Sequence, residues 1–279
     1  KALVLDPKSP VAAYNVAWSF YELGQDKQAM DMFSQIISND PYYPGAYSLV
    51  GRILSSRGRL DEAATNYERA LQVDKTNRDA VFGLIHITID MADFERTSYW
   101  FDYIEQNKIR VNEDSITMLK ILESLAKQDY SSADKYLTSV NIKEPMMANI
   151  FNAERAYYYK NFNEAVTLFE QAKQSLPSEK AMFHIEDGQF ALHLAYAYQQ
   201  SGKESKATEL LVKIEQHFQN SNKNNNPSYF YNMALLKALQ QNKDESLFYL
   251  QSAIDAGWSR SWVAEIEAGF DNISGENQF

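Results

Sequence analysis

Large apolar side chains return along this chain at Phe33, Tyr67, Phe101, Leu137, Phe169, Leu211 and Leu250, and four residues before each stands a small one: Ala29, Ala63, Thr97, Ala133, Ala165, Ala207 and Ser246. The first two intervals are 34 residues, and the later ones are 36, 32, 42 and 39. A spacing of four places both positions on one helical face, the large residue packing on a neighbouring helix and the small one lying where two helix axes cross. A second set, Ala17, Gly51, Ala153, Ala195 and Ala234, falls twelve positions before the first, with Ile85 and Ile121 in the two remaining repeats. Together the sets predict pairs of antiparallel helices whose backbones approach closely, repeated about seven times.

Prolines and glycines punctuate the same cycle. All seven prolines fall at one of two points in it: Pro10 and Pro44 open first helices, Pro7 and Pro41 close second ones, and Pro145, Pro177 and Pro227 follow once small length changes are allowed. A proline lacks the N–H and clashes with the preceding helical turn, so each marks a stop. Gly24, Gly58 and Gly202 occupy the turn between the two helices, a place that favours the left-handed conformation, and Ala92, Gln128, Lys160 and Gln241 occupy it in the other repeats. Residues 180–187 are additional to the cycle and predict a lengthened helix or connection. The stretch Asn220–Ser228, rich in asparagine, predicts a loop. Ser261 to Phe270 predicts a terminal helix covering the last repeat, and Asp271 to Phe279 a tail. Lys1–Pro7 matches the end of a second helix, which predicts that the start of its unit lies upstream.

These residues resemble the tetratricopeptide repeat family, a unit of two antiparallel helices with small residues at the crossing, aromatics beside them and a closing proline. Phe20, Leu23, Gly24, Ala29, Phe33 and Pro41 make residues 10–43 the clearest match. Residues 44–77, 146–179 and 188–221 match well, whereas 78–111, 114–145 and 227–260 are degenerate. The resemblance implies an all-α, right-handed solenoid forming one superhelical domain over residues 1–279, with 1–9 the end of a truncated repeat, 10–260 about seven repeats, 261–270 the capping helix and 271–279 the tail. Stacked hairpins leave a concave groove lined by the first helix of each repeat. The family's groove positions bring forward Tyr14, Asn15, Trp18 and Tyr21, then Ser48 and Arg52, then Phe82, His86 and Ile89. Later repeats offer Glu154, Tyr157 and Tyr158, then Leu192, His193 and Tyr196, then Tyr231 and Asn232. Aromatics there would hold an apolar peptide segment while their polar tips orient its backbone, although a helical aromatic stripe also serves as core. Family members that clamp a partner's C-terminal carboxylate use lysine and asparagine where this chain has Tyr14 and Trp18, asparagine where it has Leu49, and basic residues where it has Asp79 and Gly83, which argues against that activity.

Composition narrows the partner. The net charge is −10, and Arg52, Arg57 and Arg59 form the only local basic group, so a nucleic-acid partner is not expected. No apolar run approaches the ~20 residues that span a bilayer, so membrane insertion by this segment is not expected. There is no cysteine, and His86, His184, His193 and His217 are scattered, so neither a metal, a cofactor nor a catalytic constellation is expected. His184, Asp187 and His193 are the one histidine neighbourhood close in sequence.

The reading that follows is a non-enzymatic scaffold for a protein or peptide partner. The alternative is a structural assembly module that packs on identical copies, a homo-oligomer without a free groove ligand. Ala253-Ile254-Asp255-Ala256-Gly257-Trp258, followed by Trp262 and Phe270, resembles the end of the repeat arrays in bacterial membrane-anchored winged-helix regulators, with Ala268-Gly269 replacing that family's usual Asp-Pro. That resemblance implies a sensor region in the periplasm or otherwise outside the cytoplasm, with a cytoplasmic location as the alternative.

Overall fold

The computed structural model describes residues 10–22, 25–139, 145–220, 226–271 and 273. The expected truncated repeat at 1–9, Gly24, and the tail apart from 271 and 273 lie outside them. Among the described residues the fold is all-α, with fifteen α-helices, two 3₁₀ segments and no strand. The helices are α1 (Pro10–Glu22), α2 (Asp26–Asn39), α3 (Pro44–Ser55), α4 (Leu60–Val73), α5 (Arg78–Asp90), α6 (Phe94–Gln106), α7 (Glu113–Ala126) and α8 (Tyr130–Ser139). They continue with α9 (Pro145–Tyr158), α10 (Phe162–Gln174), α11 (Gln189–Gln200), α12 (Glu204–Asn220), α13 (Pro227–Leu239), α14 (Lys243–Asp255) and α15 (Ser261–Ile266). Consecutive helices pack as hairpins in α1/α2, α3/α4, α5/α6, α9/α10, α11/α12 and α13/α14, and α15 follows. The chain divides into two compact units, residues 1–137 and 138–279.

The first helices from α3 to α13 end in the same way. Gly58, Ala92, Gln128, Lys160, Gly202 and Gln241 have φ between 54° and 69°. The next residue's N–H then reaches a carbonyl five positions back, from Arg59 to Leu54, Asp93 to Thr88, Asp129 to Ser124, Asn161 to Ala156, Lys203 to Tyr198 and Asn242 to Lys237, at 2.8–3.0 Å. This bond satisfies one of the carbonyls that a helix end leaves open, and it turns the chain into the second helix.

The small residues meet where the helices cross. Ala17, Ala29, Ala63, Ala153, Ala165 and Ala195 are fully buried. Where a hydroxyl replaces the methyl it finds a partner across the hairpin: Thr97 bonds the Thr88 hydroxyl at 3.0 Å, and Ser246 donates to the Ala234 carbonyl at 2.8 Å. Of the large residues, Phe33, Tyr67, Phe169 and Leu211 are buried, whereas Phe101, Leu137 and Leu250 are half-buried. Tyr67 on α4 passes between two glycines. A Cβ on Gly51 of α3 would stand 2.9 Å from its ring, and one on Gly83 of α5 would overlap it.

Within each unit the first helices adjoin one another, α1–α3–α5–α7 in the first and α9–α11–α13 in the second, more closely than the second helices do. That asymmetry puts the first helices on the inner side of each stack. The additional residues 180–187 form a 3₁₀ segment, Glu179–Gly188, which Gly188 ends at φ 102° and whose Met182 and Phe183 are buried. The side chains of His184 and Asp187 lie outside the described part.

The terminal helix is shorter than expected. It stops at Ile266, Glu267 is extended, and a 3₁₀ turn covers Ala268–Phe270. The physical reason is that Glu267 turns its carboxylate inward, where helix α11 holds it. No described helix is long and apolar enough to cross a membrane.

Candidate functional site

In the first unit the inner helices present a half-exposed aromatic group. Trp18 and Tyr21 on α1 lie 5.7 Å apart, and the Arg52 guanidinium of α3 stands 5.3 Å from the Trp18 ring, within cation–π range. Tyr14, one turn earlier, packs edge-on against Phe33 and Tyr43. Burial, with Tyr43 and Asp79 nearby, raises its pKa above the usual tyrosine value. Asn15 on α1 is exposed, and Phe82 and His86 on α5 are half-buried. Tyr67 belongs to the same neighbourhood: burial raises its pKa, and Arg52, Tyr21 and Asp79 act on its hydroxyl. Two of the three arginines of the basic group are engaged with separate neighbours. Arg52 faces Trp18, and Arg59 makes a two-pronged pair with Glu62 at 2.6 and 2.7 Å.

The second unit differs. Tyr157, His193, Tyr196 and Tyr231, expected in an open groove, are buried, and Tyr158 is half-buried. The cause is the segment after α15, whose Glu267, Ala268, Gly269, Phe270 and Ile273 are themselves buried. His193 on α11, 1% exposed, lies between two carboxylates, with Nδ1 2.5 Å from Glu154 of α9 and Nε2 2.9 Å from Glu267. The Tyr157 hydroxyl donates to the second Glu267 oxygen, which also accepts the Gly269 N–H at 3.1 Å. The Tyr157 ring stacks on the His193 ring at 4.1 Å and 14°. Tyr158 meets His193 edge-on, and Tyr196 meets Tyr157. Tyr231 stacks on Trp258 at 4.4 Å.

Burial opposes a charged imidazole, but Glu154 and Glu267 outweigh it and lift the His193 pKa to about 10. Burial likewise opposes the Glu267 carboxylate, yet the His193 charge and the hydrogen bonds hold its pKa below the ordinary value. Burial and then Glu267 push the Tyr157 hydroxyl well up. Burial raises the Tyr196 pKa to about 12. Both His193 nitrogens face carboxylates, so this is an ion-paired core rather than a ligand set with an open position.

Two family models described as tetratricopeptide repeat match residues 11–41 and 44–77, the hairpins α1/α2 and α3/α4. Residues 11–77 thus carry two tetratricopeptide repeats. Small glutamine-rich tetratricopeptide repeat-containing protein 2 of Mycosarcoma maydis is 39% identical over 84 residues, which is 30% of this chain and 24% of that protein. A TPR repeat-containing protein of Methanocaldococcus jannaschii is 23% identical over 226 residues, 77% of this chain and 38% of that protein. The chain thus spans about a quarter and about two fifths of these relatives' length. Among solved structures, a tetratricopeptide repeat protein from Parabacteroides merdae superposes with TM-score 0.57 at 15% identity, over 92% of this chain and 96% of that one. Yeast Tom70 superposes with TM-score 0.54 at 15% identity, over 96% and 56%. At such identity the likeness concerns the fold.

Within each unit, the periodicity finds the helices that line the inner wall but not what closes the second one. Glu267 lies outside the cycle, so no period points to it. Its one sequence signal is an acid set directly before Ala268-Gly269-Phe270, the apolar turn that follows Ile266. The periodicity makes Tyr67 a core residue, and Gly83, which lets its ring reach the inner helices, carries no sequence signal beyond its mismatch to the carboxylate clamp.

Proposed function

We propose that the chain is a non-enzymatic scaffold whose first unit holds a protein or peptide partner on the wall formed by α1, α3 and α5. The observation that carries this reading is the half-exposed group of Trp18, Tyr21 and Arg52 on two adjoining inner helices. Aromatic and arginine side chains dominate binding hot spots because they bring large contact area and directional polar groups together. Tyr14, Asn15, Phe82 and His86 extend that wall. The resemblance of Ala253–Trp258, Trp262 and Phe270 to the ends of regulator repeat arrays supports a further reading. In it the scaffold is the sensor region of a larger bacterial regulatory protein and lies outside the cytoplasm. An upstream membrane-spanning helix and DNA-binding domain in the full-length gene product would support it, and a different effector domain would redirect it.

Peptides selected from a displayed library against the whole chain provide the test. Their affinity is expected to fall at least tenfold, about 1.4 kcal/mol, in Trp18→Ala and in Arg52→Ala, with the helical circular dichroism signal retained. Loss of that signal would make Trp18 a core residue. Light scattering in the same samples addresses the assembly alternative: a stable oligomer that selects no peptide would favour self-association.

A further inference from the structure

The second unit's inner wall is covered by the chain itself. Glu267 meets α9 and α11, the 3₁₀ turn 268–270 packs on α13, and Lys160 at the end of α9 pairs with Asp271 at 3.2 Å. Residues 267–271 therefore lie across the first helices of three successive hairpins, where a peptide ligand of such a wall would lie. We infer that this wall is a receptor for a partner peptide that presents a glutamate followed by a small residue, glycine and an aromatic, and that the chain's own residues 261–273 fill it as an internal competitor. This stands apart from the first-unit wall, and either can fail without the other.

Three observations carry it. First, the carboxylate site is built without the segment: Glu154 fixes the His193 ring from Nδ1, Tyr157 stacks on its face and Tyr158 meets its edge, so Nε2 and the Tyr157 hydroxyl are aimed in advance. Secondly, the segment leaves part of the wall unmet. The Tyr231 hydroxyl is buried within reach of the Glu267 charge and has no hydrogen-bond partner, a capacity that a different ligand would use. Thirdly, the segment packs on the core through Trp262, Val263 and Ala264 yet leaves open space beside its helix. Gly257, at φ 101°, precedes it, and a cleft of about 650 Å³ separates α15 from α14, lined by Leu247, Phe248, Leu250, Ile254, Trp258 and Ala264. Phe248 and Ile254 of that cleft remain 65% and 57% exposed. Gly269 shows how closely the ligand must fit, since a Cβ there would overlap the Leu235 side chain.

The test uses the full chain and a fluorescein-labelled synthetic peptide of residues 261–273. A tethered segment competes at an effective concentration in the millimolar range, so the unmodified chain is expected not to bind micromolar peptide. The Glu267→Ala chain is expected to bind it. Replacing the peptide's own glutamate at 267 by alanine, or adding His193→Gln to the Glu267→Ala chain, is expected to weaken binding at least tenfold. A folded Glu267→Ala chain that ignores the peptide, or that binds it regardless of that glutamate, would overturn the inference. So would a wild-type dimer in light scattering, which would give the segment to a second copy. Should Glu267→Ala fail to fold, hydrogen exchange on the wild-type chain decides: amides of 261–273 are expected to exchange at least tenfold faster than those of α13, and equal protection would make the segment ordinary core.

Discussion

Among the described residues five non-glycine ones hold φ near +55°, and four of them, Ala92, Gln128, Lys160 and Gln241, stand at the turn where Gly58 and Gly202 stand in neighbouring repeats. A side chain in that conformation costs roughly 1–2 kcal/mol, less the flexibility that glycine adds to the unfolded chain. Opposite substitutions should therefore have opposite signs. Gly58→Ala is expected to lower stability by about 1 kcal/mol, and Ala92→Gly to raise it by less than about 1 kcal/mol, both read from urea midpoints. Equal signs would show that something other than the backbone conformation governs the site. The glycines were readable as a turn signal, and their period then located the residues that adopt the same shape without being glycine.

The α4–α5 contact turns on a ring passing a gap. Tyr67 fills the space that Gly51 and Gly83 leave, so Gly83→Ala forces the ring aside and is expected to cost about 1–3 kcal/mol. Combining it with Tyr67→Leu should cost less than the sum of the two single changes, because the smaller side chain no longer needs the gap. Strict additivity in thermal unfolding would mean the ring does not depend on that glycine. Periodicity predicted Tyr67 as a large residue packed on a neighbour, and so it is. It did not predict that its hydroxyl emerges beside Arg52 and Asp79, because the length and tilt of a side chain through a gap depend on helix spacing, not on residue order.

Across the second unit, the His193 ion-pair cluster ties stability to pH. The His193 pKa is raised from 6.5 to about 10, so its contribution is complete below 6.5 and disappears as pH climbs through about 10. Glu267 is shifted the other way, so its contribution holds above 4.5 and is lost as pH falls through its lower folded value. Melting temperature should accordingly hold a plateau from about pH 5 to 7 and decline on both sides. His193→Gln should flatten the decline between pH 7 and 10, and a wild-type profile already flat there would count against a charged His193.

Helix boundaries, hairpin pairing, crossing points and the left-handed turns follow from local chemistry repeated at a fixed interval, and such chemistry is visible in residue order. Trp18, Tyr21 and Arg52 could be brought forward for the same reason, since an inner-helix position recurs with the cycle. The fate of those positions could not. Tyr157, His193, Tyr196 and Tyr231 hold the corresponding places on their helices, yet they are covered because a segment some 30 to 110 residues further along folds back over them and delivers one carboxylate. A contact between remote parts of a chain leaves no period behind, so only the folded arrangement separates a wall that stays open from one that the chain closes on itself.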